Sequence, residues 1–589
     1  MSPTQPSPHG QAAHWQSLGS LDQFAPGSLS TIKRPPHQLV VARTENGEIF
    51  ALDNRCPHEG YPLAQGDLKG CALTCCWHNW KFDVRDGACT LGGEDVRSFP
   101  LEVRDGEVFC DLAEPEPSQF FPAWKASFNE GLFKHDNGRA IRDGVRLLAG
   151  GYPAWDLLAD IATQDALHAE YGCGHALAVA ADVGRLLPRY SGTRAMYAIA
   201  PTLDMAGESN RRQAKRPQPK PIAGATRESV REAIEEEDLE RAEALILGAF
   251  DAGVARASID EWLFAALSDH FLSFGHPLIY QIKLQELMAQ VDESYARALY
   301  AAQTAGIVYG TREDTLPYMQ PYANFVREVE SQFADVYSSE RDTTASDAAL
   351  DHVRAAVLDG KPREACESVW GALTAGTRPE RIAEALVGCA AERLLRFDDS
   401  LDRNPDLAEN WLWATHRFTF ASAVRNALLR FRSPDALRFL FQSVMFTNSG
   451  RAMDLEPAAR FSRDAAASSA SVDDILDAVR EHDARRATCM MASYLEARSP
   501  LVPLREAIED RLLEDRPHVR PIVVAHAIKT SQAAFEEFGV LPHERDRETC
   551  LLAAVRLLAS PLAERRVHEI VRTSIAWVEE GQVRRKLTQ

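Results

Sequence analysis

The chain has 589 residues, 45% apolar and 25% charged, with a formal net charge of −20 at neutral pH. That length exceeds what one hydrophobic core serves, so the chain must hold more than one domain. The acid excess argues against a nucleic-acid surface, and no apolar window approaches the roughly 20 residues that cross a bilayer, so neither nucleic acid nor membrane is an expected partner.

In chain order, Met1–Ala13 is rich in Pro, Ser and Gln and lacks a basic stretch followed by an apolar run, so it is expected to be a disordered lead, neither signal nor anchor. Short β-type runs follow at Gln38–Arg43, Ile49–Leu52, Trp80–Asp83 and Val103–Val108, with turn signals such as Glu45-Asn46-Gly47 between them. Two ligand-like pairs fall on the intervening loops: Cys56-Pro57-His58 and, after sixteen residues, Cys75-Cys76-Trp77-His78. Cys-x-His with Cys-x-x-His is the donor set of a [2Fe-2S] cluster with two thiolates on one iron and two neutral imidazoles on the other; that exchange removes negative charge and raises the reduction potential. Zinc is the rival ion, but zinc modules usually open with Cys-x(2-4)-Cys.

On these residues the stretch from Trp15 to Leu112 resembles the Rieske domains of soluble ferredoxins and ring-hydroxylating oxygenases. The resemblance implies a domain over 14–114 with Cys56, His58, Cys75 and His78 as cluster ligands, fed by a flavin or ferredoxin reductase. Respiratory bc-type members carry an extra Cys in each ligand loop, joined as a disulfide; Tyr61 and Trp77 stand there instead, and Asn79-Trp80 replaces the usual Gly-Ser. Fewer hydrogen bonds to sulfur place the expected potential near the low end of the range, around −150 mV. Cys71 and Cys76 are expected to be packed thiols. Eleven Cys without paired spacing, some needed reduced for iron, point to a reducing, cytoplasmic setting.

From about Gln119 onward apolar residues recur at helical period, as in Val230–Phe250, so 115–589 is expected to be all helix. Breaks fall at the Pro-rich segment 208–226, expected to be a mobile loop, at Ser338–Ser346 and at Ala465–Ser471. The basic run Arg211–Lys220 inside the first break reads as loop or as a dock for an acidic reductase. A weak repeat opens at Val230-Arg231-Glu232-Ala233-Ile234, Val353-Arg354-Ala355-Ala356-Val357 and Ile475-Leu476-Asp477-Ala478-Val479, and Ala252-Gly253 and Ala375-Gly376 recur within it. Each segment leads to a His in a new apolar helix: His276, His416 and His526, with His175 as an earlier fourth. Stacked repeats aim equivalent positions at a shared axis, and converging imidazoles suit iron, copper or zinc. Were each helix continuous, a polar residue seven positions earlier (His168, Asp269, Glu409) would share the face of the His.

At these histidines the region 151–538 resembles the questin oxidase-like family, which oxidises or cleaves anthraquinone-type polyketides. The resemblance implies a mononuclear non-haem iron held by His175, His276, His416 and His526, completed by a carbamylated Lys: Lys529 one turn beyond His526, or else Lys283. The ordinary Rieske-oxygenase catalytic domain is set aside. Asp165-Ala166-Leu167-His168 followed by His175 spaces its second His too far, and no period-two alternation marks a sheet. The expected chain is therefore multidomain, a small all-β Rieske domain followed by a large all-α helical-repeat domain. Electrons would pass from a reductase through the cluster to the mononuclear iron, which activates O2 against a small aromatic substrate lodged near Phe274, Tyr280, Phe418 and Phe420. The alternative is an electron carrier or redox sensor whose helices form a scaffold for protein partners.

Overall fold

The computed structural model describes residues 14–338, 347–403, 410–463, 469–515, 519–560 and 567–580. The lead Met1–Ala13, Glu409, and most of the breaks expected at Ser338–Ser346 and Ala465–Ser471 lie outside those residues.

Strands run β1 (Trp15–Ser20), β2 (Ser28–Arg34), β3 (His37–Arg43), β4 (Ile49–Asp53), β5 (Asp67–Lys69), β6 (Ala72–Thr74), β7 (Lys81–Asp83), β8 (Cys89–Leu91), β9 (Ser98–Phe99), β10 (Leu101–Arg104) and β11 (Glu107–Asp111). They form three sheets, ordered β1-β11-β10, β2-β3-β4-β9 and β5-β6-β7-β8. Side chains alternate across β3, so Val40 and Ala42 enter one core while Leu39 and Val41 enter another. The first core also holds Leu52, Leu63, Leu73 and Phe82, and it contains Cys56 and Cys75. Both candidate thiols thus hang from loops rooted in packed strands.

The chain divides into two compact units: one reaches Gly131 and takes in Asp136–Tyr152, and the other comprises Leu132–His135 and Pro153–Gln589. Strand gives way to helix near residue 115, as expected, while the division falls later, so the helix Asn137–Ala149 belongs with the strands. Among the described residues no named strand follows Asp111, and no helix is long and apolar enough to cross a membrane.

Within the second unit a five-helix set occurs three times: Arg227–Glu235, Leu239–Asp251, Arg256–Asp269, His276–Met288 and Ala296–Val308; then Asp347–Asp359, Pro362–Thr374, Pro379–Arg396, Trp411–Arg430 and Leu437–Ser449; then Val472–Arg480, Ala484–Glu496, Leu501–Leu512, Pro521–Val540 and Glu544–Ala559. In every set the first helix packs on the third and the second on the fifth. The repeat seen in sequence marks these sets, for Val230, Val353 and Ile475 lie in the first helices. Ala252-Gly253 and Ala375-Gly376 end the second helices, with Gly253 and Gly376 at φ 71° and 94°. Val230–Phe250 is two helices rather than one, because Glu237 turns left-handed at φ 57° and Asp238 then caps the next helix. The segment after Asn210 is irregular, yet Arg216 pairs with buried Glu243 at 2.6 Å and Ile222 N bonds Ala244 O at 2.9 Å.

The fourth helix of each set carries a candidate His. The His276 helix packs on the His416 helix, that on the His526 helix, and the helix His175–Gly184 packs on both the first and the last of these. The four helices close into a ring. The helices of His175 and His276 begin at the His, whereas His416 and His526 sit in the second turns of Trp411–Arg430 and Pro521–Val540.

Candidate metal centres

At the first centre two matching turns present the ligands. Gly60 N bonds Cys56 O at 2.8 Å and Asn79 N bonds Cys75 O at 3.1 Å, while Cys56 N bonds Tyr61 O and Cys75 N bonds Trp80 O, each at 2.8 Å. Gly60 and Asn79 take the equivalent left-handed position, at φ 78° and 60°, which Asn tolerates better than most residues. The two thiols are buried, and the two imidazoles meet with Nδ1 atoms 3.1 Å apart. His58 stacks on Trp80 with centroids 4.7 Å apart. Tyr61 stacks on Trp77 at 4.2 Å, so an aromatic pair joins the loops where bc-type members would use a disulfide. Burial pushes the Cys56 thiol up to about 11, with Cys75 adding to the rise, so metal must displace its proton. Two buried sulfurs and two converging nitrogens fit a cluster with Cys on one iron and His on the other. Cys71 is half-buried against the core, but Cys76 is exposed rather than packed.

At the second centre one ligand nitrogen from each of His175, His276, His416 and His526 lies within 4.8 Å of all the others. His276 Nδ1 donates to Ser273 O at 2.7 Å and His526 Nδ1 donates to Ile522 O at 2.6 Å. A carbonyl only accepts, so both rings carry their lone pair on Nε2. Those lone pairs face His416 Nε2 at 2.7 and 3.0 Å, and one nitrogen has at most one proton to offer. His175 Nε2 is buried with no hydrogen-bond partner, its Nδ1 lying 3.2 Å from the Tyr280 hydroxyl. Opposed lone pairs in a buried space call for a cation. The contacts of His416 Nε2 with the other two nitrogens, at 2.7 and 3.0 Å, are close enough for one shared cation, and the His175 ligand nitrogen lies within 4.8 Å of all three.

Electrostatics support the same fit. Burial holds all four imidazoles below the ordinary range, His276 to about 3, and the Lys529 ammonium acts in the same direction. Lys529 lies one turn beyond His526, its Nζ buried without a hydrogen-bond partner and 5.7 Å from the Tyr280 ring. Burial lowers its amine to about 8. Lys283 differs: Asp182 at 2.7 Å and Glu286 at 3.0 Å hold its ammonium, and its pKa is raised despite burial.

Residues 14–100 match the Rieske [2Fe-2S] domain. The ferredoxin component of the p-cumate 2,3-dioxygenase system of Pseudomonas putida is 36% identical over 98 residues, 16% of this chain and 83% of that protein. The chain belongs to the Rieske [2Fe-2S] family. The oxygenase component of 3-ketosteroid-9-alpha-monooxygenase from Mycolicibacterium smegmatis is 28% identical over 24% of this chain and 42% of its own length. For 4beta-methylsterol monooxygenase from Methylococcus capsulatus the values are 32%, 17% and 31%. The chain spans most of its ferredoxin relative but less than half of each of these oxygenases.

Beyond the Rieske domain, several expected neighbours of the four histidines lie elsewhere. His168 ends its helix and its Nδ1 bonds Gln213 O at 2.8 Å. Asp269 is held by Arg231 at 2.6 Å. Neither helix continues into the His, so neither residue shares a helix face with it. Phe418 and Phe420 are core: Phe420 packs on Phe271 and Phe446. Phe274 does reach the centre, stacked on His416 at 5.8 Å and edge-on to Trp413 at 4.4 Å. Missed in sequence were the carbonyls of Ser273 and Ile522, which orient two rings, and Asp165, whose carboxylate accepts from Gly174 N at 3.1 Å just before His175.

The approach to His276 is strained: Ser273, Phe274 and Gly275 are successively left-handed at φ 42°, 56° and 84°. Ser273 N bonds Thr311 O at 2.9 Å and Glu313 accepts from Phe274 N at 2.6 Å, fixing the turn that returns Ser273 O to the ring. A Cβ on Gly275 would sit 2.1 Å from the Phe420 ring. Gly275→Ala is expected to cost at least about 2 kcal/mol in thermal or denaturant unfolding. Gly253→Ala, equally left-handed but with open space around it, should cost about 1 kcal/mol.

Neutral buried imidazoles also fix a pH response. Free histidine titrates near about 6.5. Below that value the unfolded chain takes up protons that the folded metal-free protein refuses, so stability is complete above about pH 6.5 and declines as pH falls toward about 3, the His276 value. Calorimetry of chelator-treated protein should show Tm falling across that window, with a shallower slope for His276→Gln.

Proposed function

We propose that the chain is a Rieske-fused non-haem iron oxygenase, a cytoplasmic oxidoreductase that takes electrons from a flavin or ferredoxin reductase and uses O2 to oxidise or cleave a small aromatic substrate of the polyketide or anthraquinone type. In this reading the Rieske domain occupies 14–114 and the helical catalytic domain 115–589. The observation that carries it is the ring of four helices bringing four uncharged imidazoles, two with lone pairs fixed by carbonyls, to one focus beside a buried lysine. Similarity to Rieske oxygenases supports the same direction. When bound, the cluster would supply single electrons and the ferrous ion would supply the activation of O2.

The chain's own residues would do the rest. His175, His276, His416 and His526 would hold the ion, with Ser273 O, Ile522 O and the Tyr280 hydroxyl fixing three of the rings. Lys529 is the residue suited to carbamylation. With its amine lowered to about 8, part of it is uncharged at neutral pH, so its nitrogen could bond the carbon of CO2 and release a proton, leaving a carboxylate that would be a further oxygen donor for the ion. Lys283, held by two carboxylates, is unsuited. Phe274 gives a flat wall beside His416 for an aromatic ring.

Iron analysis tests the proposal. An electron carrier or redox sensor on a helical scaffold holds about two irons per chain, and the oxygenase about three. His276→Ala and His526→Ala should each lose one iron and keep the cluster's paramagnetic resonance signal. A full iron complement in both variants would overturn the four-histidine centre. After incubation with ¹³C-bicarbonate the native protein should give a carbamate resonance that Lys529→Gln lacks.

A further inference from the structure

The helix Asn137–Ala149 lies outside residues 14–100 that carry the family match, yet one of its arginines bonds a cluster loop. Asp136 caps it, accepting from Arg139 N at 3.0 Å. Arg139, Arg142 and Arg146 follow at three- and four-residue intervals and so share a face. Arg139 Nε donates to Ser127 Oγ at 2.9 Å. Arg142 Nη1 donates to the carbonyl oxygen of His58 at 2.5 Å, and its Nη2 lies 3.4 Å from Glu94 Oε2. Arg146 pairs with that same Glu94 and, at 2.8 Å, with buried Asp143.

We infer that Arg142 is a positioning residue for the cluster, clamping the His58 turn and raising the cluster's reduction potential. His58 is a ligand, and its carbonyl belongs to the turn that Cys56 opens. A guanidinium bonded there fixes the turn from outside the β core. Reduction adds one negative charge to the cluster, and a nearby positive charge favours the more negative state. Arg142, Arg146, Glu94 and Asp143 carry charges that sum to zero, and Glu59 lies 4.0 Å from His78 Nε2 in native protein and variants alike; of the four, Arg142 is the member in hydrogen-bond contact with the ligand turn, so its replacement changes the field there against a fixed acidic background. Its side chain is largely covered, at 27% exposure, which limits screening by salt.

The test uses full-length protein with its cluster and needs neither substrate nor the second iron. It rests only on the Rieske assignment and would stand if the four-histidine centre failed. Arg142→Lys, Arg142→Gln and Arg142→Ala are compared by protein-film voltammetry, by the g-values of the reduced cluster and by the half-life of the visible absorption. The potential should fall from native to Lys to Gln, the reduced spectrum should shift in Gln and Ala, and the Ala cluster should decay severalfold faster. If Ala loses its cluster during purification, Lys and Gln still report. Native potential and native g-values in Gln, with or without a stable Ala variant, would overturn the inference.

Discussion

The helical unit depends on a conflict among imidazole nitrogens. His276 and His526 each spend their ring proton on a backbone carbonyl and turn a bare nitrogen toward His416, which has one proton at most to share. Burial forbids the simplest relief, since charging any of these rings is opposed by desolvation and by Lys529. Such a site is poor as packing and good as a receptacle for a cation. The closed ring of four helices keeps the nitrogens from moving apart, because each His helix is held by two others.

Strain is concentrated where that arrangement is set. Three successive left-handed residues before His276 are unfavourable on their own, and they persist because Thr311, Glu313 and the Phe420 ring surround the turn. The turn returns the Ser273 carbonyl to the ring of His276. Ile522 needs no such device: His526 sits one helical turn after it, so the same orientation comes from regular helix. Two of the four imidazoles therefore reach one geometry by different routes.

This difference explains what the sequence discloses. Cys56, His58, Cys75 and His78 are legible because ligand and turn lie within a few residues of each other. Three of the four histidines are legible through the repeat, which does correspond to five-helix sets, while His175 stands on a helix before the first set. Their closest supports are not, for Ser273 and Ile522 contribute backbone oxygens that any residue could supply. Spacing also misled where helices stop: His168 and Asp269 share a face with a His only if the helix runs on, and glycine-bearing turns intervene. Phe418 and Phe420 looked like pocket residues because a buried aromatic reads the same in sequence whether it faces a ligand or another helix.

The two centres solve the same orientation problem under different exposure. At the cluster His78 remains 42% exposed, and the aromatic pairs His58–Trp80 and Tyr61–Trp77 steady the loops without covering them. Stacking of this kind supplies stiffness at little cost in burial and leaves the His78 edge accessible. At the four-histidine site His416 and His526 are buried, and two rings are oriented by carbonyl oxygens, His276 by Ser273 in the turn before its helix and His526 by Ile522 within its own. Excluding water there strengthens every electrostatic contact, because the local dielectric falls. One chain thus carries a partly exposed Cys/His site whose loops are stiffened by aromatic stacking and a more deeply covered imidazole site in which backbone carbonyls orient two of the four rings.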